Sequence, residues 1–156
     1  LGSLIGLIAS IVCYDWFSKR QLRAVLTTTL VVATLCIVCL QYLPQLDISL
    51  TWNRRIATGL ILLFGVMTSP AYYIPMSIFS IEFGGPHSAT LVCLIDMCGF
   101  AASASFGFLG GRLAAGAGGW ASFMTMLIVV DIVATMATWL FMNAEYQAAR
   151  RAAADT

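Results

Sequence analysis

Long apolar runs, separated by short polar stretches, constrain this chain more than any other feature of its sequence. Hydrophobic residues make up 60% of the 156 residues, and charged residues make up only 10%. A water-soluble domain carries roughly 25% charged residues, so this chain has too few polar side chains to cover a water-facing surface. The sequence therefore predicts an integral membrane protein that crosses a bilayer several times.

The runs predict an all-α transmembrane bundle, because a helix satisfies its own backbone hydrogen bonds in lipid. About five spans are expected, over residues 1–14, 24–43, 56–81, 89–110 and 120–142. The first run is shorter than the ~20 residues that a span needs, and the chain opens with Leu1. We therefore expect this run to be the end of a span in a fragment of a longer protein. Residues 143–156 are predicted to form a polar tail, and the second span to face lipid over much of its surface.

The chain is organised around residues 69–111, where two apolar runs meet at the turn Phe83–Ser88. The first of these runs holds Pro70 and Pro75. Each proline removes a backbone donor and frees a carbonyl, which is tolerated where the backbone faces protein or a water-filled cavity. Ser88 is expected to cap the start of the second run. The pattern predicts a helical hairpin whose first arm is kinked.

Small residues recur at every fourth position of the second run. They form one stripe along a helix, since four residues are slightly more than one turn. In lipid, such a stripe lets two helix backbones approach closely. The spacing predicts a helix-packing stripe that consists of Gly99, Ser103, Gly107 and Gly111.

An acid inside an apolar run, Asp96, is costly in hydrocarbon unless it is paired, hydrated or neutral. It lies three residues before Gly99, so we expect it to face packed protein or a cavity. A contact with a substrate, proton or gate explains it as well as a structural hydrogen bond does. Tyr72 and Tyr73, beside the prolines, are further substrate-path candidates, with packing against a neighbour as the alternative. For Asp131, in the last span, a structural partner is favoured.

A charged turn follows the first span. Asp15 is followed four residues later by Lys19 and then by Arg20, so an acid and a cation can pair along one helical turn or with a neighbouring helix. This favours a gating turn, and anchoring of the basic pair at the membrane surface is the alternative. A cytoplasmic tail would place five Lys and Arg residues on the cytoplasmic side and three on the other. The positive-inside rule favours that orientation.

These features together resemble the C-terminal half of a major facilitator superfamily transporter. The likeness covers nearly the whole chain through the charged turn, the proline-bearing span, the Pro-containing turn and the Gly-rich span after it. Within that superfamily, about 55 residues are similar to the organophosphate:phosphate antiporters, the branch with the glycerol-3-phosphate and sugar-phosphate exchangers. The residues that carry this closer likeness are Ser69-Pro70, Ala89–Asp96, Gly99, Gly107–Gly111 and Gly119–Met124.

The resemblance implies that the five spans are the eighth to twelfth helices of a two-lobed, twelve-helix carrier, with the N-terminal lobe outside this chain. The eighth, tenth and eleventh helices would line the substrate path, the ninth and twelfth would face lipid, and the charged turn would latch one conformation. The implied function is secondary active transport of small solutes by alternating access. Its specific form would be exchange of an organophosphate for inorganic phosphate, although the family's phosphate-binding arginines lie on the first and seventh helices.

Other functions have weaker support in the residues. A net charge of +1 without a basic face gives no reason to expect a nucleic-acid partner. The five cysteines lie in apolar runs and the chain has one histidine, so no metal or cofactor is expected. An intramembrane enzyme is disfavoured, because His87 and Ser88 lie in a turn without a glycine motif for an oxyanion. A non-transporting membrane scaffold or an inactive fragment is the alternative to a transporter.

Overall fold

The computed structural model describes residues 2–14, 16–46 and 48–152, apart from the side chains of residues 10–14, 19, 82, 149, 150 and 152. The described chain is all-helical. Single 3-10 turns at Leu43–Gln45 and Gly85–His87 follow its second and third α-helices. The five α-helices are α1 (Gly2–Tyr14), α2 (Lys19–Tyr42), α3 (Leu50–Gly84), α4 (Ser88–Ala115) and α5 (Gly119–Ala152).

Four of these helices are long and apolar enough to cross a membrane. The candidate spans are Arg20–Gln45, Leu50–Ile81, Gly85–Ala115 and Gly119–Ala148. The fifth helix, α1, has 13 residues and is shorter than the ~20 that a span needs. The protein is therefore an all-helical, multi-pass membrane protein by length and composition.

The helices pack in a ring, α2–α5–α4–α3, and α1 joins the ring from outside by packing on α3. The third helix is central to this arrangement, since it contacts α1, α2 and α4 extensively and α5 more lightly. The described parts of α1 and α2 have few direct contacts with one another. Helix α3 therefore links all of the other helices.

The core of the described chain is formed largely by one face of α2. The other described residues of this helix are exposed or partly exposed, so lipid contact over much of its surface stays a prediction. Its inward residues recur at intervals of three or four positions and meet α3 and α5. At one end of the bundle they join Ile74 of α3 and Met142 of α5 in a single cluster. The buried apolar residues of α2 are Leu22, Leu26, Leu30, Ala33, Cys36 and Ile37.

Helices α1 and α3 run parallel and approach backbone to backbone at small residues. A Cβ added at Gly2 would collide with the carbonyl oxygen of Leu62, and one added at Gly6 would lie 2.5 Å from that of Val66. Because Pro70 has no N–H, the helix supplies no donor to the Val66 carbonyl, and Gly6 packs directly on it. The kink-freed carbonyl therefore faces protein, as the sequence predicts.

Helices α2 and α5 run antiparallel, and polar pairs join them near one end and at the middle of the bundle. Near one end, Nη1 of Arg23 donates to Oδ1 of Asn143 over 2.6 Å. At the middle, the Thr34 hydroxyl donates to Oδ2 of Asp131 over 2.7 Å, and Asp131 is buried. The structural partner expected for Asp131 is thus Thr34 on α2.

Two turns and the start of the tail share one end of the bundle. Ser18 begins α2 with a capping box: its hydroxyl accepts from the Gln21 N–H, and its own N–H donates to the Gln21 side chain over 2.9 Å. Gly85 ends α3 with a φ of 46°, which favours glycine. His87, not Ser88, precedes the first residue of α4, and it makes no side-chain cap, so the predicted Ser88 cap is wrong.

The last helix continues past its predicted end at residue 142 and reaches Ala152. Its extension is docked on α2, because the Arg23 guanidinium also lies over the Tyr146 ring at 5.1 Å from the centroid. The first part of the predicted tail is therefore a packed helix.

Candidate functional site

The candidate site is a pair of polar side chains between α3 and α4. The Tyr72 hydroxyl donates to Oδ1 of Asp96 over 3.4 Å, a long hydrogen bond that joins the proline-bearing helix to the glycine-rich one. Among the described residues, Tyr72 is the side chain that hydrogen-bonds to this carboxylate. Two residues that the sequence singled out separately are thus brought together.

A glycine on α4 makes room for this pair. A Cβ added at Gly99 would lie 2.9 Å from the Tyr72 hydroxyl, so the absence of a side chain there lets the tyrosine reach across α4. Gly99 lies about one helical turn after Asp96, so both flank the same hydroxyl. The glycine has a local purpose at the site.

The third predicted site residue, Tyr73, packs against Tyr72. Their rings meet edge to face, with centroids 5.0 Å apart and an interplanar angle of 89°. The side chains of Tyr72 and Tyr73 are 47% and 42% exposed, so much of both rings is open to a ligand or to another protein segment. The aromatic pair and the carboxylate form one surface feature.

A cavity of about 440 Å³ lies beside the pair, between α3, α4 and Phe141 of α5. Its wall includes Tyr72 and also Ile95, which precedes Asp96. Pro75 and Ala71 lie in the same wall, and because Pro75 has no N–H, the helix gives the Ala71 carbonyl no donor. The second proline and the residue whose carbonyl loses its helical donor therefore both lie in the wall of this cavity.

The pair lies well inside the membrane-crossing part of the bundle. Asp96 lies eight residues after the start of α4, or ~12 Å along the helix, and Tyr72 lies twelve residues before the end of α3, or ~18 Å. A hydrocarbon core is ~30 Å thick and both helices are longer than this, so both side chains lie inside the apolar stretch, between the helix midpoints and the turn at Gly85–His87. A carboxylate at that depth needs water or protein around it, not lipid.

The described basic residues lie away from this acid. Arg55 is on α3, 17 residues from Tyr72, and Arg112 is on α4, 16 residues from Asp96. Both arginines lie ~24 Å along their helices from the site, at the far ends of α3 and α4. Arg23, nearer in depth, is held by α5 through Asn143. The described site is therefore rich in hydrogen-bond acceptors and carries a negative charge.

The predicted gating turn is described only in part. Asp15 and the side chain of Lys19 lie outside the described residues, and Arg20 is exposed. Ser18 has an extended backbone (φ −64°, ψ 156°), so one continuous helical turn does not run through this segment. Gating by Asp15, Lys19 and Arg20 stays a prediction.

The small-residue stripe of α4 has different neighbours along its length. Gly99 is covered by Tyr72, whereas nothing in the described chain lies within 4 Å of a Cβ added at Gly107 or Gly111. The buried glycine of this helix is Gly110, which the Phe123 ring of α5 covers. Packing of a further helix on Ser103, Gly107 and Gly111 stays a prediction.

Sequence reasoning missed the partners of the singled-out residues. Thr34 and Asn143 do not stand out individually. When the second and fifth apolar runs are aligned antiparallel, however, their polar residues lie opposite one another, and this would have indicated that α2 pairs with α5. The Ala71 carbonyl follows from Pro75 once α3 is known to continue through both prolines. Comparison of the chain with protein-family models, with curated proteins and with solved structures found no match, so the family resemblance remains a hypothesis and the function is argued from the site.

Proposed function

We propose that these helices form one lobe of a secondary active transporter that moves small solutes by alternating access, with the Tyr72–Asp96 pair on the solute path. The observation that carries the proposal is this pair itself: a carboxylate inside an apolar helix, tied to a tyrosine and partly exposed. Such a group marks a water-filled path or a polar contact far more often than a lipid-facing surface.

Two other features support the proposal. A proline inside a helix leaves one carbonyl without its helical donor, and such a carbonyl is tolerated in a membrane where it faces protein or a water-filled cavity. Here Pro75 and Ala71 lie in the wall of a cavity of about 440 Å³, whose size is within the ~300–1,000 Å³ of ligand pockets.

Alternating access needs two bodies that rock against one another. The proposal therefore includes a partner lobe, N-terminal to these helices in the same polypeptide, that covers the open faces of α3 and α4. The charged turn and the tail lie at the cytoplasmic end. Exchange of an organophosphate for phosphate comes from the resemblance, and since the described site offers no cation, phosphate recognition would belong to helices outside this chain.

The experiment is counterflow in liposomes that contain the protein expressed from its complete reading frame. Saturable uptake of labelled solute, driven by unlabelled solute inside and reduced in Asp96→Asn, is the expected result. Phosphate and glycerol-3-phosphate test the exchange form, and a panel of amines, sugars and amino acids tests the general one. Absence of flux for every solute, in protein with a native circular dichroism spectrum, would contradict the transporter proposal.

A further inference from the structure

The chemistry of the Tyr72–Asp96 site indicates the charge of its ligand. The carboxylate of Asp96 accepts hydrogen bonds, and the Tyr72 hydroxyl, whose hydrogen points to that carboxylate, is left with its lone pairs. Ala71, whose carbonyl loses its helical donor to Pro75, lies in the wall of the adjoining cavity. These groups favour a ligand that donates hydrogen bonds.

The aromatic rings favour the same kind of ligand. Ring faces attract cations, and the attraction grows when water is excluded. The Tyr72 ring lies beside the acid that its hydroxyl bonds, and the Tyr73 ring meets it edge to face at 89°. A ring face and a carboxylate together suit a positively charged nitrogen.

The surrounding charges disfavour an anion. A phosphate near Asp96 would meet a like charge without a described basic residue to offset it, because Arg55 and Arg112 lie at the opposite ends of their helices. Two like charges a few ångströms apart repel strongly where water is scarce. A cation gains from the same arrangement.

The cavity favours an organic cation over a bare metal ion. Apart from Tyr72 and the segment that contains Ala71 and Pro75, its wall is apolar and consists of Met76, Phe79, Ile95 and Phe141. A metal ion with hard-cation chemistry needs six or more oxygen ligands, which these residues do not supply. A hydrocarbon group fills such a cavity favourably.

We propose that the Tyr72–Asp96 site binds the charged nitrogen of a small organic amine, while the adjoining cavity holds the apolar part of the same molecule. The inference rests on the proposed transport function, because it names the class of solute that this lobe recognises. The nitrogen lies against Asp96 and the Tyr72 ring, and the apolar group lies against Met76 and Phe79.

The test is equilibrium binding, by calorimetry, to the full chain in lipid nanodiscs, with empty nanodiscs subtracted. The probes are 2-phenylethylamine, a cation at neutral pH, and phenylacetate, an anion of similar size, with glycerol-3-phosphate and sodium chloride as further arms. We expect the amine to bind and Asp96→Asn to weaken it about tenfold or more, since the variant removes the charge partner. The matched control is Asp131→Asn, which replaces an acid held under α2 and should keep the affinity within about twofold because it is distant from the site.

A second variant tests the cavity independently of the acid. Met76→Trp fills the space beside Tyr72, so it should weaken 2-phenylethylamine and leave methylamine, which has no apolar body, unchanged. The inference is overturned if amine affinity is the same in Asp96→Asn and Met76→Trp as in the unaltered chain. It is also overturned if phenylacetate or glycerol-3-phosphate binds more tightly than the amine, or if sodium binds and the amine does not.

Binding and transport can fail separately. Amine binding without flux of any solute would overturn the transporter proposal and leave this inference standing. Flux of an anionic solute, in a protein whose described site binds no amine, would overturn this inference and leave the transporter proposal standing.

Discussion

The Thr34 hydroxyl on α2 lies 2.7 Å from a carboxylate oxygen of Asp131 on α5. Thr34 also lies 3.1 Å from the Leu30 carbonyl, a second acceptor that competes for its single hydroxyl hydrogen at a longer distance. The acid is buried between two helices that hold the core of the bundle together. This arrangement explains an acid within a span without assigning it to a solute path.

Replacement of Thr34 by valine should destabilise the bundle, because it keeps the shape of the side chain and removes the partner of Asp131. Interhelical hydrogen bonds of this kind contribute ~0.5–2 kcal/mol in membrane proteins, and a loss of that size is expected in the free energy of unfolding. The measurement is titration of the protein from mild detergent into dodecyl sulfate. Thr28→Val, at an exposed position of the same helix, is the control. Equal stability of both variants would contradict a role for the Thr34–Asp131 pair.

The crossing of α1 and α3 should tolerate no added methyl group. Gly6→Ala places a Cβ 2.5 Å from the Val66 carbonyl oxygen, which is backbone and cannot move alone, so the helices must separate. Overpacking of this kind costs ~1–3 kcal/mol. Gly59→Ala, on α3 with open space around it, should instead be neutral or stabilising by up to ~1 kcal/mol. Unfolding midpoints of the two variants give the comparison, and a Gly6→Ala midpoint at or above that of Gly59→Ala would argue against close α1–α3 contact.

Two adjacent glycines of α4 should respond in opposite ways to alanine. At Gly110 the added Cβ would meet the Phe123 ring at 2.5 Å, whereas at Gly111 nothing lies within 4 Å. Gly110→Ala should lower stability by ~1 kcal/mol as the ring turns aside, and Gly111→Ala should not. Thermal denaturation in detergent measures both. A loss of stability in Gly111→Ala alone would show that α4 packs on α5 through the face that contains Gly111, not through the face that contains Gly110.

The extension of α5 should depend on Arg23. Arg23→Ala removes the 2.6 Å hydrogen bond to Asn143 and the contact with the Tyr146 ring, so the end of α5 should open more often. Hydrogen exchange at residues 143–148 should become several-fold faster, which corresponds to ~1 kcal/mol of local stability. Arg54→Ala, at the opposite end of the bundle, should leave this exchange unchanged. Unaltered protection in Arg23→Ala would mean that the helix extension is stable by itself.

The site pair should be sensitive to the glycine beneath it. Gly99→Ala brings a Cβ to 2.9 Å from the Tyr72 hydroxyl, so the ring end must shift away from Asp96. Because a flexible side-chain end can move cheaply, stability should change by less than ~1 kcal/mol, while solute flux should fall severalfold. Gly107→Ala, on the same stripe with open space, should retain flux. Full flux in Gly99→Ala would remove the Tyr72–Asp96 contact from the proposed path.

The existence and number of the helices follow directly from the apolar runs, but their ends do not. The capping box of Ser18 and Gln21 starts α2 five residues before its predicted start. The cap satisfies N–H groups of the first turn, so the helix can begin at the charged residues Lys19 and Arg20. The buried face of α2 was also missed. A charge-free, β-branched run has no polar face, so its sequence does not show which side meets protein.

The candidate site was predictable residue by residue but not as a pair. An acid in an apolar run and tyrosines beside prolines each stand out by themselves. Their contact depends on the geometry of the α3–α4 hairpin and on the gap at Gly99, and both arise from tertiary packing. The charge of the surroundings likewise becomes visible only when the basic residues are placed at the helix ends.

The central position of α3 has a consequence for biogenesis. A chain is synthesised from its N-terminus, so α1 and α2 enter the membrane before the helix that joins them. When α3 follows, it must insert between them, with Gly65 and Ser69 against α1 and Ile74 against Leu22 and Leu26 of α2. Before then, α1 and α2 have few contacts with one another in the described chain. Their association within this bundle therefore waits for the synthesis of α3.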